Sequence, residues 1–169
     1  MLRVTENQAV ARLSQRLALK CGYSIRMARY IGVAAALHDV GKVFINKTII
    51  RKAGSLTPTE FEEVKLHTIY GYDILSRMGG KVGKIAALVA LMHHEHIDGQ
   101  GYWGIRSSTL PLFVGIVAIC DVYCALINRR VYKEAWSSKD ALTHIKGLAG
   151  SQFCPHLVER FLGMFGNTH

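Results

Sequence analysis

Apolar residues recur at helical spacing along most of this 169-residue chain, and that spacing restricts it to an all-α fold. In the first segment Val10, Leu13, Leu17 and Cys21 fall three or four positions apart, as they do on one face of an α-helix. The alternating pattern of a β-strand is almost absent. Its exception is the stretch 42–50, "KVFINKTII", which predicts a short extended piece.

Capping residues and breaks in periodicity divide the chain into about seven helices. Ser24 is placed to start a second helix that runs to about His38. In "TPTEFEEV" Thr57 can cap a helix, Pro58 suits its first turn and Glu60 completes a capping box. Further helices are predicted over residues 67–78, 82–94, 109–128, 138–148 and 155–165. No internal repeat or linker interrupts the pattern, so we expect a single-domain helical bundle over residues 1–169.

Charge and hydropathy restrict the kind of partner. The formal net charge of +9 favours an anionic ligand. Lys and Arg are nevertheless scattered, without a basic block or interleaved aromatic residues, so we expect no binding to a nucleic acid polymer. No apolar segment is long enough for a membrane span, and the first residues lack the pattern of a signal peptide, so we expect no membrane insertion and a cytoplasmic location.

Histidine and aspartate residues cluster at predicted helix ends and on apolar helix faces. An isolated His or Asp in such surroundings is more often structural, but several clusters together favour a divalent metal, which removes the cost of a buried charge. Imidazoles and carboxylates without thiolates suit iron or manganese, with zinc, nickel or cobalt as alternatives, and more than four ligands indicate two or more ions. The candidate ligands are His38, Asp39, His67, His93, His94 and Asp121.

Five motifs in these regions resemble the HD-GYP domains, metal-dependent phosphodiesterases of the HD superfamily that open cyclic di-GMP. The segment "HDVGK" looks like the HD motif with its lysine, and "HTIYGYDIL" looks like the histidine-bearing helix that follows. The segment "HHEHIDGQGYW" looks like the signature HHExxDGxGYP, "NRRVYKEA" like SDRPYR and "AGSQFCPHLV" like GxxFDPxLV. These motifs follow the family's order and approximate spacing over about residues 5–165.

The resemblance implies an HD-type helical bundle and a role for each motif residue. The six candidate ligands would hold two or more metal ions, with Asp39 as the bridge between ions. Lys42 would meet the scissile phosphate, so the resemblance makes Asp39 and Lys42 the catalytic residues. Arg130 and Lys133 would bind phosphate oxygens of the substrate. The implied activity is hydrolysis of cyclic di-GMP to the linear dinucleotide and GMP in bacterial second-messenger signalling.

The chain departs from the family pattern at several positions. Glu6 stands where the family has its first histidine, and a carboxylate there can also ligate a metal. Trp103 replaces the proline of GYP, while Cys124 and Cys154 replace two aspartates. Two alternatives therefore stay open: a degenerate module that binds cyclic di-GMP or a signalling partner without turnover, and a hydrolase of another cyclic dinucleotide or phosphate ester. Because sensor domains usually accompany this family, a sensor domain or signalling protein on another chain is a further expected partner.

Overall fold

Helices make up most of the computed structural model, which describes residues 5–105, 109–128 and 135–166. These ranges contain eight α-helices and a 3-10 helix (Val40–Phe44) but no β-strand. The α-helices are α1 (Glu6–Lys20), α2 (Ile25–Leu37), α3 (Lys47–Ile50), α4 (Pro58–Ser76), α5 (Gly80–Met92), α6 (Leu112–Ile127), α7 (Ser138–Gly147) and α8 (Pro155–Leu162). The all-α prediction is confirmed, with a helix number close to the one expected.

Local capping chemistry explains where several helices begin. At the start of α4 the Thr57 hydroxyl accepts a hydrogen bond from the Glu60 amide, and the Glu60 carboxylate accepts one from the Thr57 amide. This is the predicted capping box, which satisfies two amides that a helix start leaves unpaired. At the start of α2 the Ser24 hydroxyl accepts from the Met27 amide. Both helix starts are confirmed.

The structure corrects the sequence-based boundaries in the first half of the chain. The predicted start of a separate helix at residue 67 is wrong, because α4 runs unbroken from Pro58 to Ser76. The extended piece predicted over residues 42–50 is also wrong. The 3-10 helix and α3 occupy this stretch instead, and the Asn46 side chain caps α3 by accepting from the Thr48 amide at 3.0 Å. Its β-branched residues favour a strand, but a strand needs a neighbour, and the described residues supply none.

The centre of the core is α6, in which Ile116, Val117, Ile119 and Cys120 are completely buried. Helices α1 and α5 pack against α6, α2 lies against both of them, and α4 packs against α5. This arrangement fixes the helices that carry most of the candidate ligands, since the side chains around them are closely packed. Within the described ranges, none of the helices combines the length and apolarity required to cross a membrane.

The 3-10 helix lies backbone to backbone against α4. A Cβ atom on Gly41 would fall 1.9 Å from the carbonyl oxygen of His67 and 2.6 Å from the amide nitrogen of Gly71. Only a residue without a side chain permits this approach. The approach brings the residue that opens the 3-10 helix, Asp39, next to His67 on α4.

Candidate metal centre

The candidate ligands reach one region from several different elements. His38 ends α2 and Asp39 precedes the 3-10 helix. His67 lies in the middle of α4, and His93 ends α5, with His94 directly after it. Asp121, the sixth candidate ligand, comes from α6 at the centre of the core. The site therefore depends on the packing of the whole helical core rather than on one loop.

Four of these residues form a tight cluster. Asp39, His67, His93 and His94 each offer a ligand atom, and the four atoms lie within 4.8 Å of one another. The Nε2 atoms of His67 and His93 are 3.4 Å apart, and they lie 3.4 Å and 3.7 Å from Asp39 Oδ1. This spacing leaves the atoms close enough to share one metal ion.

The remaining two predicted ligands lie on the other side of the same carboxylate. His38 Nε2 is 3.4 Å from Asp39 Oδ2 and 3.4 Å from Asp121 Oδ1. One Asp39 oxygen thus lies near His67 and His93, while the other lies near His38. A carboxylate with an imidazole beside each oxygen has the geometry of a bridging ligand.

Backbone carbonyls orient three of the imidazole rings. The Nδ1 atoms of His38, His67 and His93 lie 2.6, 2.6 and 3.0 Å from the carbonyl oxygen three residues earlier in the chain. A carbonyl only accepts, so these contacts assign the proton to Nδ1. In the neutral ring Nε2 then carries the lone pair, which is the tautomer that a metal-ligating histidine uses.

Two buried polar atoms of the site have no hydrogen-bond partner among the described residues. His38 Nε2 and Asp39 Oδ1 are enclosed, yet neither makes a hydrogen bond with any described residue. Buried polar atoms are nearly always hydrogen-bonded, and exceptions call for an explanation such as a missing ion. In addition, the lone pairs of neutral His67 and of the Asp39 carboxylate lie 3.4 Å apart with no proton between them. A cation among these atoms resolves both features, so the residues fit a metal.

Electrostatics favour a charged Asp39 carboxylate and neutral rings at His67 and His94. Burial opposes ionisation of Asp39, but His38 and His93 outweigh it and hold the pKa of Asp39 far below its usual range. Burial lowers the pKa of His67 to about 4, with a further contribution from His93, and it lowers the pKa of His94 further still. Burial also disfavours a charge on His38, yet the Asp121 and Asp39 carboxylates raise its pKa to about 10. Without metal, His38 is therefore protonated at neutral pH.

An open cavity of about 580 Å³ adjoins the cluster. It is lined by Asp39, Lys42, His94, Asp121 and Glu6, together with other residues of α1, α3 and α6. The Lys42 ammonium lies 2.5 Å from Asp39 Oδ2 and keeps about two fifths of its side chain exposed. The structure thus brings the predicted catalytic pair together and places Glu6 at the same cavity.

Among the described residues, neither Cys124 nor Cys154 belongs to this four-residue cluster. Arg130 and Lys133 lie outside the described residues. Cys124 is buried on α6, where burial and then the Asp121 and Glu6 carboxylates raise the pKa of its thiol to about 12. Cys154 is exposed at the start of α8 and lines a different cavity. The two cysteines that replace family aspartates therefore occupy unrelated positions.

Sequence reasoning missed two residues beside the histidine pair. The buried carboxylate of Glu95 accepts hydrogen bonds from the amides of Trp103 and Ile105, both at 2.8 Å. The ring of Tyr102 stacks on His94 with 4.3 Å between centroids. An acid directly after two adjacent histidines was the available signal for Glu95. The position of Tyr102 depends on how the glycine-rich loop folds back, which residue types alone do not show.

A family model described as the HD domain matches residues 2–157. The chain therefore belongs to the HD domain family. A cyclic di-GMP phosphodiesterase of Thermotoga maritima is 40% identical over 156 residues, which cover 92% of this chain and 42% of that protein. A 3'3'-cGAMP-specific phosphodiesterase 2 of Vibrio cholerae is 36% identical over 156 residues, which cover 92% of this chain and 30% of that protein. The chain thus spans less than half the length of these curated relatives.

Solved structures support the same fold. Bd1817, an HDG"Y"P protein from Bdellovibrio bacteriovorus, superposes with a TM-score of 0.74 over 95% of this chain and 51% of that chain, at 18% sequence identity. Together with the relatives, it confirms the resemblance to HD-GYP proteins that the five motifs indicate.

Proposed function

We propose that this chain is a metal-dependent phosphodiesterase that hydrolyses cyclic di-GMP to the linear dinucleotide and then to GMP. The observation that carries the proposal is the convergence of Asp39, His67, His93 and His94 within 4.8 Å at a cavity that Lys42 also lines. The Thermotoga maritima relative, which is a cyclic di-GMP phosphodiesterase, supports this substrate. An enzyme that hydrolyses a bacterial second messenger would act in the cytoplasm. A sensor domain or signalling protein on another chain would regulate it.

Two or more divalent ions would be held by the cluster, with Asp39 bridging between them. The positions of His38 and Asp121 beyond the second Asp39 oxygen support more than one ion. The donor set contains nitrogen and oxygen without thiolate, which favours iron or manganese, while zinc, nickel or cobalt are alternatives. Glu6, at the same cavity, is a further candidate ligand. When bound, such ions polarise phosphate oxygens and lower the pKa of a coordinated water.

The protein's own residues would bind and orient the phosphodiester. The Lys42 ammonium contacts Asp39 and also faces the cavity, so it can bind a phosphate oxygen beside the ligand cluster. Arg130 and Lys133 would bind phosphate oxygens further along the substrate, as the HD-GYP resemblance implies. Against the effect of burial, contacts with His38 and His93 and the charge of Lys42 hold the pKa of the half-buried Asp39 carboxylate low, so it stays ionised. It can therefore serve as a ligand at any physiological pH.

A second candidate substrate is 3'3'-cGAMP, which differs from cyclic di-GMP in one purine base. The Vibrio cholerae relative named for that activity is 36% identical over 92% of this chain, a little below the 40% of the Thermotoga maritima relative. The rival without catalysis is a module that binds the nucleotide and does not hydrolyse it. Cys124 and Cys154 support that rival, because each replaces an acid of the family pattern.

One experiment separates these functions. Protein loaded anaerobically with Fe(II) or Mn(II) is incubated with cyclic di-GMP or with 3'3'-cGAMP, and products and bound nucleotide are both measured. We expect linear dinucleotide and GMP from cyclic di-GMP, and no turnover by Asp39→Asn. Asp73→Asn is the matched control, because Asp73 is exposed on α4 and is not a candidate ligand. If metal-loaded protein binds cyclic di-GMP tightly but forms no product, the proposed phosphodiesterase activity is overturned and the binding module is supported.

A further inference from the structure

The glycine-rich loop of residues 99–105 is folded back onto the segment that carries the paired histidines. A Cβ on Gly101 would lie 2.4 Å from Glu95 Cα and 2.7 Å from the His94 carbonyl oxygen. Gly99 and Gly104 have φ values of +80° and +71°, a region that side chains disfavour. The loop therefore lies directly against the backbone of a candidate metal ligand.

Trp103 provides a hydrogen bond that the proline of the GYP pattern cannot. Its amide donates to Glu95 Oε1 at 2.8 Å, while the Ile105 amide donates to Glu95 Oε2 at 2.8 Å. Proline fixes φ but has no N–H. A proline at position 103 would leave one oxygen of the buried Glu95 carboxylate without this donor, so the tryptophan replaces a covalent constraint with a charge-assisted hydrogen bond.

The indole of Trp103 contacts α4, the helix that carries His67. Its Nε1–H donates to the hydroxyl of Thr68 at 2.9 Å, and Thr68 is fully buried directly after His67 on α4. The Lys65 ammonium lies 4.9 Å from the centroid of the Trp103 ring, a cation–π contact. Trp103 is thus bound through its amide to the segment after α5 and through its indole to α4.

Tyr102, the residue before Trp103, lies against two of the candidate ligands. Its ring stacks on His94, with 4.3 Å between centroids and an interplanar angle of 27°. The same ring lies perpendicular to His67 at 6.3 Å. Because Tyr102 is bonded directly to Trp103, we expect a displacement of Trp103 to displace this ring, which contacts two candidate ligands from different elements.

We propose that Trp103 is a positioning residue of the metal centre. Its two N–H groups fix the loop of residues 99–105 between Glu95 and Thr68, and so hold Tyr102 against His94. This keeps His94 and His67 in the relative position that metal binding requires. The inference rests on the proposed function and explains how this chain retains an ordered site without the proline of GYP.

The test measures Mn(II) affinity by competition with a chelator, beside the melting temperature of each protein. Trp103→Phe and Thr68→Val each remove the indole–hydroxyl bond, and we expect each to weaken affinity by about 3- to 10-fold, as for one uncharged hydrogen bond. The double variant is expected to bind Mn(II) about as tightly as the single variant with the lower affinity, because both changes remove the same bond. Thr68→Ser keeps the hydroxyl and is expected to retain wild-type affinity.

Thr143→Val is the matched control, because the exposed Thr143 hydroxyl donates to the Lys139 carbonyl in α7 just as the Thr68 hydroxyl donates to that of Lys65. We expect it to leave metal affinity unchanged. If Thr68→Val does not fold, the Mn(II) affinities of Trp103→Phe and Thr68→Ser are compared instead.

The possible failures are distinguishable. Wild-type protein that binds no metal overturns both the proposed function and this inference. Wild-type affinity in Trp103→Phe, with or without a lower melting temperature, overturns this inference alone, since it shows that the indole bond does not act on the metal centre. Fully additive losses in the double variant would also contradict it.

Discussion

Gly41→Ala tests whether the close approach of the 3-10 helix to α4 sets the metal geometry. The new Cβ would lie 1.9 Å from the His67 carbonyl oxygen, whereas Cβ atoms essentially never come within 3.0 Å of a heavy atom from elsewhere in the chain. The two backbones must therefore move apart by more than about 1 Å, because neither carbonyl nor amide can rotate away as a side chain can. Asp39, two residues before Gly41, lies 3.4 Å from His67 Nε2, so this displacement is a large fraction of the spacing between ligands.

The expected losses follow from that displacement. Overpacking of a core contact costs about 1 to 3 kcal/mol of unfolding free energy. A misplacement of about 1 Å at an active site lowers the rate by about 100-fold. We therefore expect Gly41→Ala to melt at a lower temperature and to lose most of its metal affinity and most of its turnover of cyclic di-GMP.

Gly147→Ala is the control, because Gly147 ends α7 and a Cβ there meets no atom within 4 Å. A helical Gly→Ala change of this kind is neutral or stabilises by up to about 1 kcal/mol. Thermal unfolding with and without Mn(II), together with turnover, measures both variants. A Gly41→Ala protein with wild-type metal affinity and rate would refute the reasoning, whatever its melting temperature.

Three further predictions concern substrate binding, the replaced acid and proton linkage. Arg130→Ala and Lys133→Ala are each expected to weaken cyclic di-GMP affinity by about 1 to 3 kcal/mol with metal content unchanged. Isothermal titration calorimetry measures the affinity, with Lys146→Ala on α7 as the control. Unchanged affinity in both variants would contradict their assignment as substrate-binding residues. Cys124→Asp is expected to raise turnover by about 10- to 100-fold if the missing acid slows the enzyme, whereas a lower melting temperature without any gain in rate would favour the binding module. Metal binding at pH 7 is expected to release about one proton from His38, because that ring has a pKa of about 10 without metal and must lose a proton to ligate. Calorimetry in buffers of different ionisation enthalpy measures the release, which should disappear as the pH rises through 10.

The helices were predictable where a local signal determines them. Thr57 and Ser24 cap their helices through short-range hydrogen bonds, so their neighbours in sequence were sufficient evidence. Residues 42–50 were not predictable in this way. Their β-branched residues favour a strand locally, but the absence of a pairing strand among the described elements and the contact of Gly41 with α4 decide the outcome. Both are tertiary effects that local propensity does not contain.

The candidate site was predictable in its residue types but not in its geometry. Charged or ligating residues in apolar surroundings identified the histidines and aspartates, because such residues are costly without a partner. Their distances depend on five separate elements packing together, so sequence could not show that Asp39 places one oxygen beside His67 and the other beside His38. The Trp103–Thr68 bond joins residues 35 positions apart, and only the folded chain brings them together.

Metal content tests the central claim most directly. Protein purified anaerobically with iron or manganese supplied is analysed by mass spectrometry for metal per chain, beside Asp39→Ala. We predict two or more equivalents in the wild-type protein, because the six candidate ligands include a carboxylate, Asp39, that has an imidazole beside each oxygen. We predict loss of metal in Asp39→Ala, because among the described residues only Asp39 has carboxylate oxygens beside both His38 and the pair His67 and His93. At most one weakly held ion in the wild type, or full metal content in Asp39→Ala, would contradict the account.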